Sequence, residues 1–233
     1  MYVLGVGTTG STASVGILKD GKILADFTLS SGNTHSTTLL PMIENAVKVA
    51  GITLDDINLF GASIGPGSFT GLRIGVATIK GLAVKNKVPC VGVSSLQALS
   101  ENYFGSEDSI VCPLIDARRE RAYFAFFRIK NGNLIRLSED AVLEIDEIKE
   151  KLHEFGEEKI HFCGDGAKLI NTENKEPEEL NILKGISVAK LALESYEAGR
   201  WTYESELLPV YLQKTQAERE RDEKLKENDK EGK

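Results

Sequence analysis

Residues Gly65-Pro66-Gly67-Ser68-Phe69-Thr70-Gly71-Leu72-Arg73-Ile74-Gly75 constrain the fold more than any other stretch of this chain. The apolar run Ile57 to Ile64 leads into them and reads as a buried strand. Leu72 to Val84 follows, an apolar segment too long for one strand and therefore a helix. The Gly-Pro-Gly between them forces a sharp turn, because proline fixes φ and glycine tolerates φ > 0. Ser68 or Thr70 is placed to cap the helix by accepting from its free N–H groups. Gly67, Gly71 and Gly75 recur every fourth residue and share one helix face. With no side chains to hold another backbone away, that face predicts a close packing partner.

Three functional readings fit this stretch. As a phosphate cradle it would use the glycine turn and helix N-terminus. However, Thr70 stands where the Rossmann pattern wants glycine, and no Gly-Lys-Ser/Thr follows. As a hydrolase it would use Ser63, since Gly61-Ala62-Ser63-Ile64-Gly65 matches G-x-S-x-G, or alternatively Ser68. Pro66-Gly67 interrupts the helix that a nucleophile elbow needs. Third, the helix is made smooth for close packing, inside the chain or against a partner. A tight strand-to-helix turn underlies all three.

The eleven residues from Gly65 to Gly75 resemble the hallmark of the TsaB (YeaZ) family, whose members support threonylcarbamoylation of adenosine 37 in tRNA. The resemblance extends from Val3 to about Leu212. It includes Asp116-Ala117-Arg118, similar to a family Asp-Ala-Arg motif, the turn Gly164-Asp165-Gly166, and Pro209-Val210-Tyr211-Leu212, similar to the family's Pro-x-Tyr-Leu close.

Composition fits that direction without choosing it. The 233 residues are 41% hydrophobic and 27% charged, with a formal charge of −7. A chain that binds nucleic acid alone normally presents a basic face. The nearest basic cluster, Arg118-Arg119-Glu120-Arg121, is short and contains an acid, so a tRNA role predicts that another subunit supplies most phosphate contacts. The start lacks a basic n-region, and Arg73 and Lys80 interrupt the most apolar helix, which argues against a signal peptide and a membrane span. A cytoplasmic protein is expected. Cys90, Cys112 and Cys163, odd in number and widely spaced, read as reduced, buried thiols.

Taken in order, Tyr2–Gly7 reads as a strand. Ala13–Lys19 and Lys22–Leu29 are strands joined at Asp20-Gly21, and a helix capped by Asn33 or Thr34 runs to about Ala50, ended by Gly51. Val88–Val93 is a strand, and Ser94 or Ser95 caps a short helix. The second half repeats this order: strands at Ile110–Ile115, Arg121–Lys130 and Leu134–Ser138, the last two joined by Asn131-Gly132-Asn133, then a helix at Ile145–Phe155, a strand at Lys159–Cys163 and another helix. Ile186–Ala198 is an amphipathic helix, and Asn174–Glu179 a loop. The reading is α/β: two lobes, 1–104 and 105–213, of duplicated βββαβα units in the actin/Hsp70 (ribonuclease-H-like) manner, and a charged flexible tail, 214–233, where Glu220–Lys224 and Asp222–Lys226 could pair.

The resemblance also predicts where chemistry is missing. ATP-using members of the superfamily carry an Asp at the end of the first strand, where this chain has Gly7. Thr8, Thr9 and Ser11 could still contact a phosphate, but ATP hydrolysis by the chain alone is not expected. TsaD, the catalytic relative, binds metal through a His-x-x-x-His pair, which here reads His35 and Leu39, so no metal is expected. The resemblance implies a non-catalytic subunit that pairs with TsaD, with the ATPase TsaE, the threonylcarbamoyl-adenylate synthase and tRNA as further partners. It implies no cofactor of its own, ATP or ADP only in the assembled complex, and a homodimer when alone. The partner surface is expected on Leu39, Leu40, Ile43, Ser68, Phe69, Gly71, Leu72, Gly75 and Ala83. The competing enzyme reading joins Ser63 or Ser68 to Asp116 and His153 or His161.

Overall fold

A computed structural model of the chain describes residues 1–10, 12–30, 35–170 and 176–213. The expected caps Asn33 and Thr34, the phosphate candidate Ser11, the first two residues of the 174–179 loop and the tail 214–233 lie outside them, and the end of that loop enters a 3-10 turn at Glu178–Asn181.

Strand β1 (Tyr2–Gly7) is central to a five-stranded sheet. Strands β2 (Ala13–Lys19) and β3 (Lys22–Leu29) extend it antiparallel on one side. Strands β4 (Leu59–Gly65) and β5 (Cys90–Ser94) extend it parallel on the other, giving the order β3-β2-β1-β4-β5. Asp20 and Gly21 both have positive φ, as an Asp-Gly hairpin turn requires. Helices α1 (His35–Val49) and α2 (Phe69–Val84) cover one sheet face, where Leu39, Ile43, Val76 and Ile79 join Leu4, Val15 and Phe60 in one core. Ser68 caps α2, its hydroxyl accepting the Gly71 N–H at 3.3 Å. Ser94 caps the short α3 (Ser95–Ser100) through the Gln97 N–H.

The second sheet repeats this plan with one refinement. Strand β6 (Ser109–Asp116) pairs antiparallel with β7 (Arg121–Phe124) and β8 (Phe127–Lys130), and these pair in turn with β10 (Ala141–Glu144) and β9 (Asn133–Arg136). The single strand expected over Arg121–Lys130 is thus broken at Ala125–Phe126. There the Phe126 N–H turns to the Ser138 hydroxyl at 2.9 Å, and its carbonyl accepts the Leu137 N–H at 2.8 Å. The register does not slip, since Leu114 faces Phe124 and Val111 faces Phe127. The third strand continues past Leu134–Ser138 as β10. Then come α4 (Ile145–Leu152), β11 (Ile160–Cys163), parallel to β6, and the one-turn α5 (Ala167–Ile170). Counting each broken strand once, both sheets run third, second, first, fourth. This is the duplicated βββαβα unit of the actin/Hsp70-like fold.

Helix α6 (Gly185–Glu197), within the second half of the sequence, packs on the free face of the first sheet. A trough receives it. Gly5 lies opposite Gly16 on β2 and Gly61 on β4. A Cβ on Gly61 would come within 2.8 Å of the Ala192 Cβ, and one on Gly185 within 2.5 Å of the Gly16 nitrogen. The core under α6 continues through Leu96, Leu99 and Tyr103 to Val111, Phe127 and Ile129, so it also joins the two sheets. Cys112 and Cys163 are buried in the second sheet and Cys90 in the first.

Candidate functional site

The glycine face of α2 meets its partner inside the chain. A Cβ on Gly71 would overlap the Thr8 carbonyl oxygen, one on Gly75 the Thr8 hydroxyl, and one on Gly67 would stand 2.7 Å from the Thr9 Cβ. The turn after β1 therefore lies along this face. Thr8 donates its hydroxyl to the Gly71 carbonyl at 2.8 Å, and the Thr9 carbonyl accepts the Ser68 N–H at 2.8 Å.

This corrects the expected partner surface. Gly71 and Gly75 are covered by Thr8, while Leu39, Ile43, Leu72 and Ala83 are buried in the chain's own core. Of the nine residues, Leu40 (48% exposed) and Ser68 face outward, and Phe69 is half-buried. The outer side of α2 instead presents Thr70, Arg73, Ala77, Gly81 and Val84, at intervals of three or four residues. Gly81 is open, with nothing within 4 Å of an added Cβ.

Beside α2 lies the segment Leu208–Gln213, whose part in the site the sequence reading missed. Val210 donates to the Ile64 carbonyl at 2.7 Å, and Lys80 holds the preceding turn through the carbonyls of Ser205 and Leu207. Tyr211 stacks on Phe69 with ring centroids 4.5 Å apart. The Arg73 guanidinium lies 3.9 Å from the Phe69 centroid and donates through Nε to the Tyr211 hydroxyl at 3.0 Å.

Between the lobes is a cleft of about 780 Å³. Thr9, Gly67, Ser68 and Tyr211 line one wall; Asp116, Arg118, Asp165 and Lys168 line the other. Asp165 accepts the Asp116 N–H at 3.0 Å and so ties the Gly-Asp-Gly turn to the Asp-Ala-Arg turn. Asp116 accepts the Arg118 N–H at 2.7 Å. Asp165 stays partly open to solvent, but desolvation by the surrounding cleft raises its pKa, opposed by the bond from the Asp116 N–H and reinforced by the charge of Asp116. Both acids were legible as motif residues; their convergence was not.

The remaining candidates scatter. Gly7 supplies no acid, and the side-chain tips of Leu183 and Ser14 occupy the space beside it, Ser14 Oγ 2.6 Å from where a Cβ would stand. His35 reaches the Gly10 carbonyl at 3.0 Å, and Leu39 is 1% exposed. Among the described residues no group of His, Cys, Asp and Glu is arranged to hold a metal. Ser63 is 1% exposed on β4, its hydroxyl accepting the Thr8 N–H at 3.4 Å. Ser68 is a helix cap, His161 pairs with Glu176 at 2.7 Å, and His153 sits exposed after α4. Nothing in this arrangement favours a hydrolase.

Comparison with known proteins decides the kinship. A protein of Escherichia coli (strain K12) named tRNA threonylcarbamoyladenosine biosynthesis protein TsaB is 32% identical over 162 residues, 69% of this chain and 70% of that protein. The chain belongs to the TsaB (YeaZ) family. A TsaB of the same name from Bacillus subtilis (strain 168) is 30% identical over 171 residues, 72% of this chain and 73% of its own. The TsaD family model, described as tRNA N6-adenosine threonylcarbamoyltransferase, matches residues 22–202, so TsaB and the transferase share one wider family. A crystal structure from Pseudomonas aeruginosa, of an uncharacterized protein described as similar to peptidase YeaZ, shares the fold. Its TM-score is 0.80 at 24% identity, covering 91% of this chain and 99% of that one. Among the described residues no helix is long and apolar enough to cross a membrane.

Proposed function

We propose that this chain works in the synthesis of threonylcarbamoyladenosine in tRNA as the non-catalytic partner of a TsaD-type threonylcarbamoyltransferase. The names of its relatives and the TsaD family match support the pathway. One observation carries the non-catalytic part. Gly7 offers no carboxylate where ATP-using relatives place an acid, and the side-chain tips of Leu183 and Ser14 close over that position.

The partner seat is the outer side of α1 and α2, with Leu40, Ala77 and Val84 supplying apolar area and Gly81 a close approach. The Phe69–Arg73–Tyr211 stack stands at its edge as a rigid aromatic anchor of the kind interfaces favour. A stable pairing there buries roughly 1,600 Å². Alone, the same face closes on a second copy as a two-fold dimer. ATP or ADP, TsaE and the adenylate-forming synthase belong to the assembled cytoplasmic complex, and the acidic chain leaves most tRNA contacts to its partner.

The test is reconstitution. The chain and a TsaD subunit are expected to co-elute as a one-to-one complex, and tRNA modification is expected to require both. Modification by TsaD at full rate without this chain would sink the reading, as would transfer by this chain without TsaD.

A further inference from the structure

The outer edge of β5 carries an aromatic cluster that the site above does not use. Thr202 exchanges both backbone hydrogen bonds with Cys90, at 2.8 and 2.9 Å, and its hydroxyl donates to Glu206 at 2.6 Å. The segment after α6 is thereby fixed against the sheet. It holds the Trp201 ring 6.0 Å from that of Tyr196 on α6 and 5.3 Å from that of Tyr203, the second pair nearly edge to face. Trp201 nevertheless stays 42% exposed and Tyr203 48%. Ordered aromatic rings left half in water, grouped rather than scattered, are what interfaces use as anchors.

The charge around the rings selects the partner. Between residues 185 and 207 four acids stand against two bases, Lys190 and Arg200. Glu194 and Glu197 are exposed near the end of α6, whose last turn carries no base although the helix dipole favours a cation there. Glu101, after α3, lies within electrostatic reach of both Glu194 and Lys190. None of these five acids is in an ion pair with another described residue. Lys80 of α2, the nearby base, is held by the carbonyls of Ser205 and Leu207. We propose that this surface docks an arginine- or lysine-rich segment of a partner protein. Trp201 and Tyr203 take the cationic heads against their rings, and Glu194, Glu197 and Glu204 supply the counter-charge. The same acids repel a nucleic-acid backbone from these rings. The residues are distinct from those of the proposed seat on α1 and α2, so failure here would leave the proposed function standing.

Trp201 is the single tryptophan of the chain, so its fluorescence reads the site directly. Hexa-arginine titrated into the full chain at physiological ionic strength is expected to change that emission saturably, and hexaglutamine and hexaglutamate are not. Calorimetric titration with hexa-arginine then compares variants. Trp201→Ala, which leaves the net charge unchanged, is expected to weaken binding about fivefold. Glu197→Lys should weaken it more than Glu150→Lys, the same charge change at an exposed position on α4. Both glutamates are exposed, so these two variants keep the fold and decide the matter if Trp201→Ala does not fold. No saturable change with hexa-arginine, or equal losses from Glu197→Lys and Glu150→Lys, would overturn the proposal. So would a dimer, seen by sedimentation, that Trp201→Ala abolishes, because it would assign the rings to a second copy.

Discussion

Thr8 donates its hydroxyl to the carbonyl of Gly71 at 2.8 Å. The first residue was expected to touch a phosphate and the second a partner protein; each instead satisfies the other. The turn after β1 and the glycine face of α2 thus form one buried joint, and the surface open to a partner lies on the opposite side of α2.

That joint separates two glycines of one helix. Gly75→Ala forces a methyl onto Thr8 and is expected to cost about 1–3 kcal/mol as overpacking. Gly81→Ala meets nothing and should gain about 0.5–1 kcal/mol from helix propensity. Urea unfolding of both variants measures the contrast, and equal effects would refute the packing described.

Pairing should respond to the outer face alone. Ala77→Arg and Gly81→Leu are expected to leave the melting temperature within a few degrees of wild type yet weaken TsaD binding at least about tenfold, the equivalent of ~1.4 kcal/mol. Calorimetric titration of the folded variants reads this. Undiminished affinity would move the interface elsewhere.

The β6–β7 turn carries three consecutive non-glycine residues with positive φ: Arg118, Arg119 and Glu120. Arg121 N–H closes the turn on the Arg118 carbonyl at 3.3 Å, which makes Arg119 and Glu120 its central pair. Left-handed backbone costs such residues about 1–2 kcal/mol each. Arg119→Asn combined with Glu120→Gly, the pair such turns favour, should therefore stabilise the chain by roughly 1–2 kcal/mol. A lower unfolding midpoint in the double variant would contradict the assigned turn.

Glu101 gives a pH dependence. Burial pushes its pKa up to about 7, with help from Glu194 and against Lys190. An acid whose pKa is raised on folding binds its proton more tightly in the folded state, so its contribution is full below the unfolded pKa. It is lost as pH rises from the ordinary glutamate range through about 7. Glu101→Gln should therefore flatten the fall in melting temperature between pH 5 and pH 8 and gain most at the alkaline end. Parallel curves for the two proteins would remove Glu101 as the cause.

Much of the architecture was legible because it is local. Asp20-Gly21 and Asn131-Gly132 adopt the positive φ that their residue types allow, Gly51 ends its helix as expected, and Ser68 and Ser94 cap theirs. The break at Ala125–Phe126 was not legible, since it depends on a hydroxyl twelve residues away at Ser138. Nor was the seat of α6, whose glycines Gly5, Gly16 and Gly61 lie on three strands and align only through sheet register.

The sequence by itself determined the element order, the duplicated unit and the kinship, because turn chemistry, periodicity and an eleven-residue motif are properties of neighbouring residues. It also determined that something approaches the face of Gly67, Gly71 and Gly75 closely. What approaches was decided only by the tertiary structure. A glycine face admits any backbone and leaves no complementary signature in the sequence of its partner, so only the folded chain could seat Thr8 there. The same holds for the cleft, where Thr9, Asp116, Asp165 and Lys168 come from separate elements and meet only when the two sheets close on their shared core.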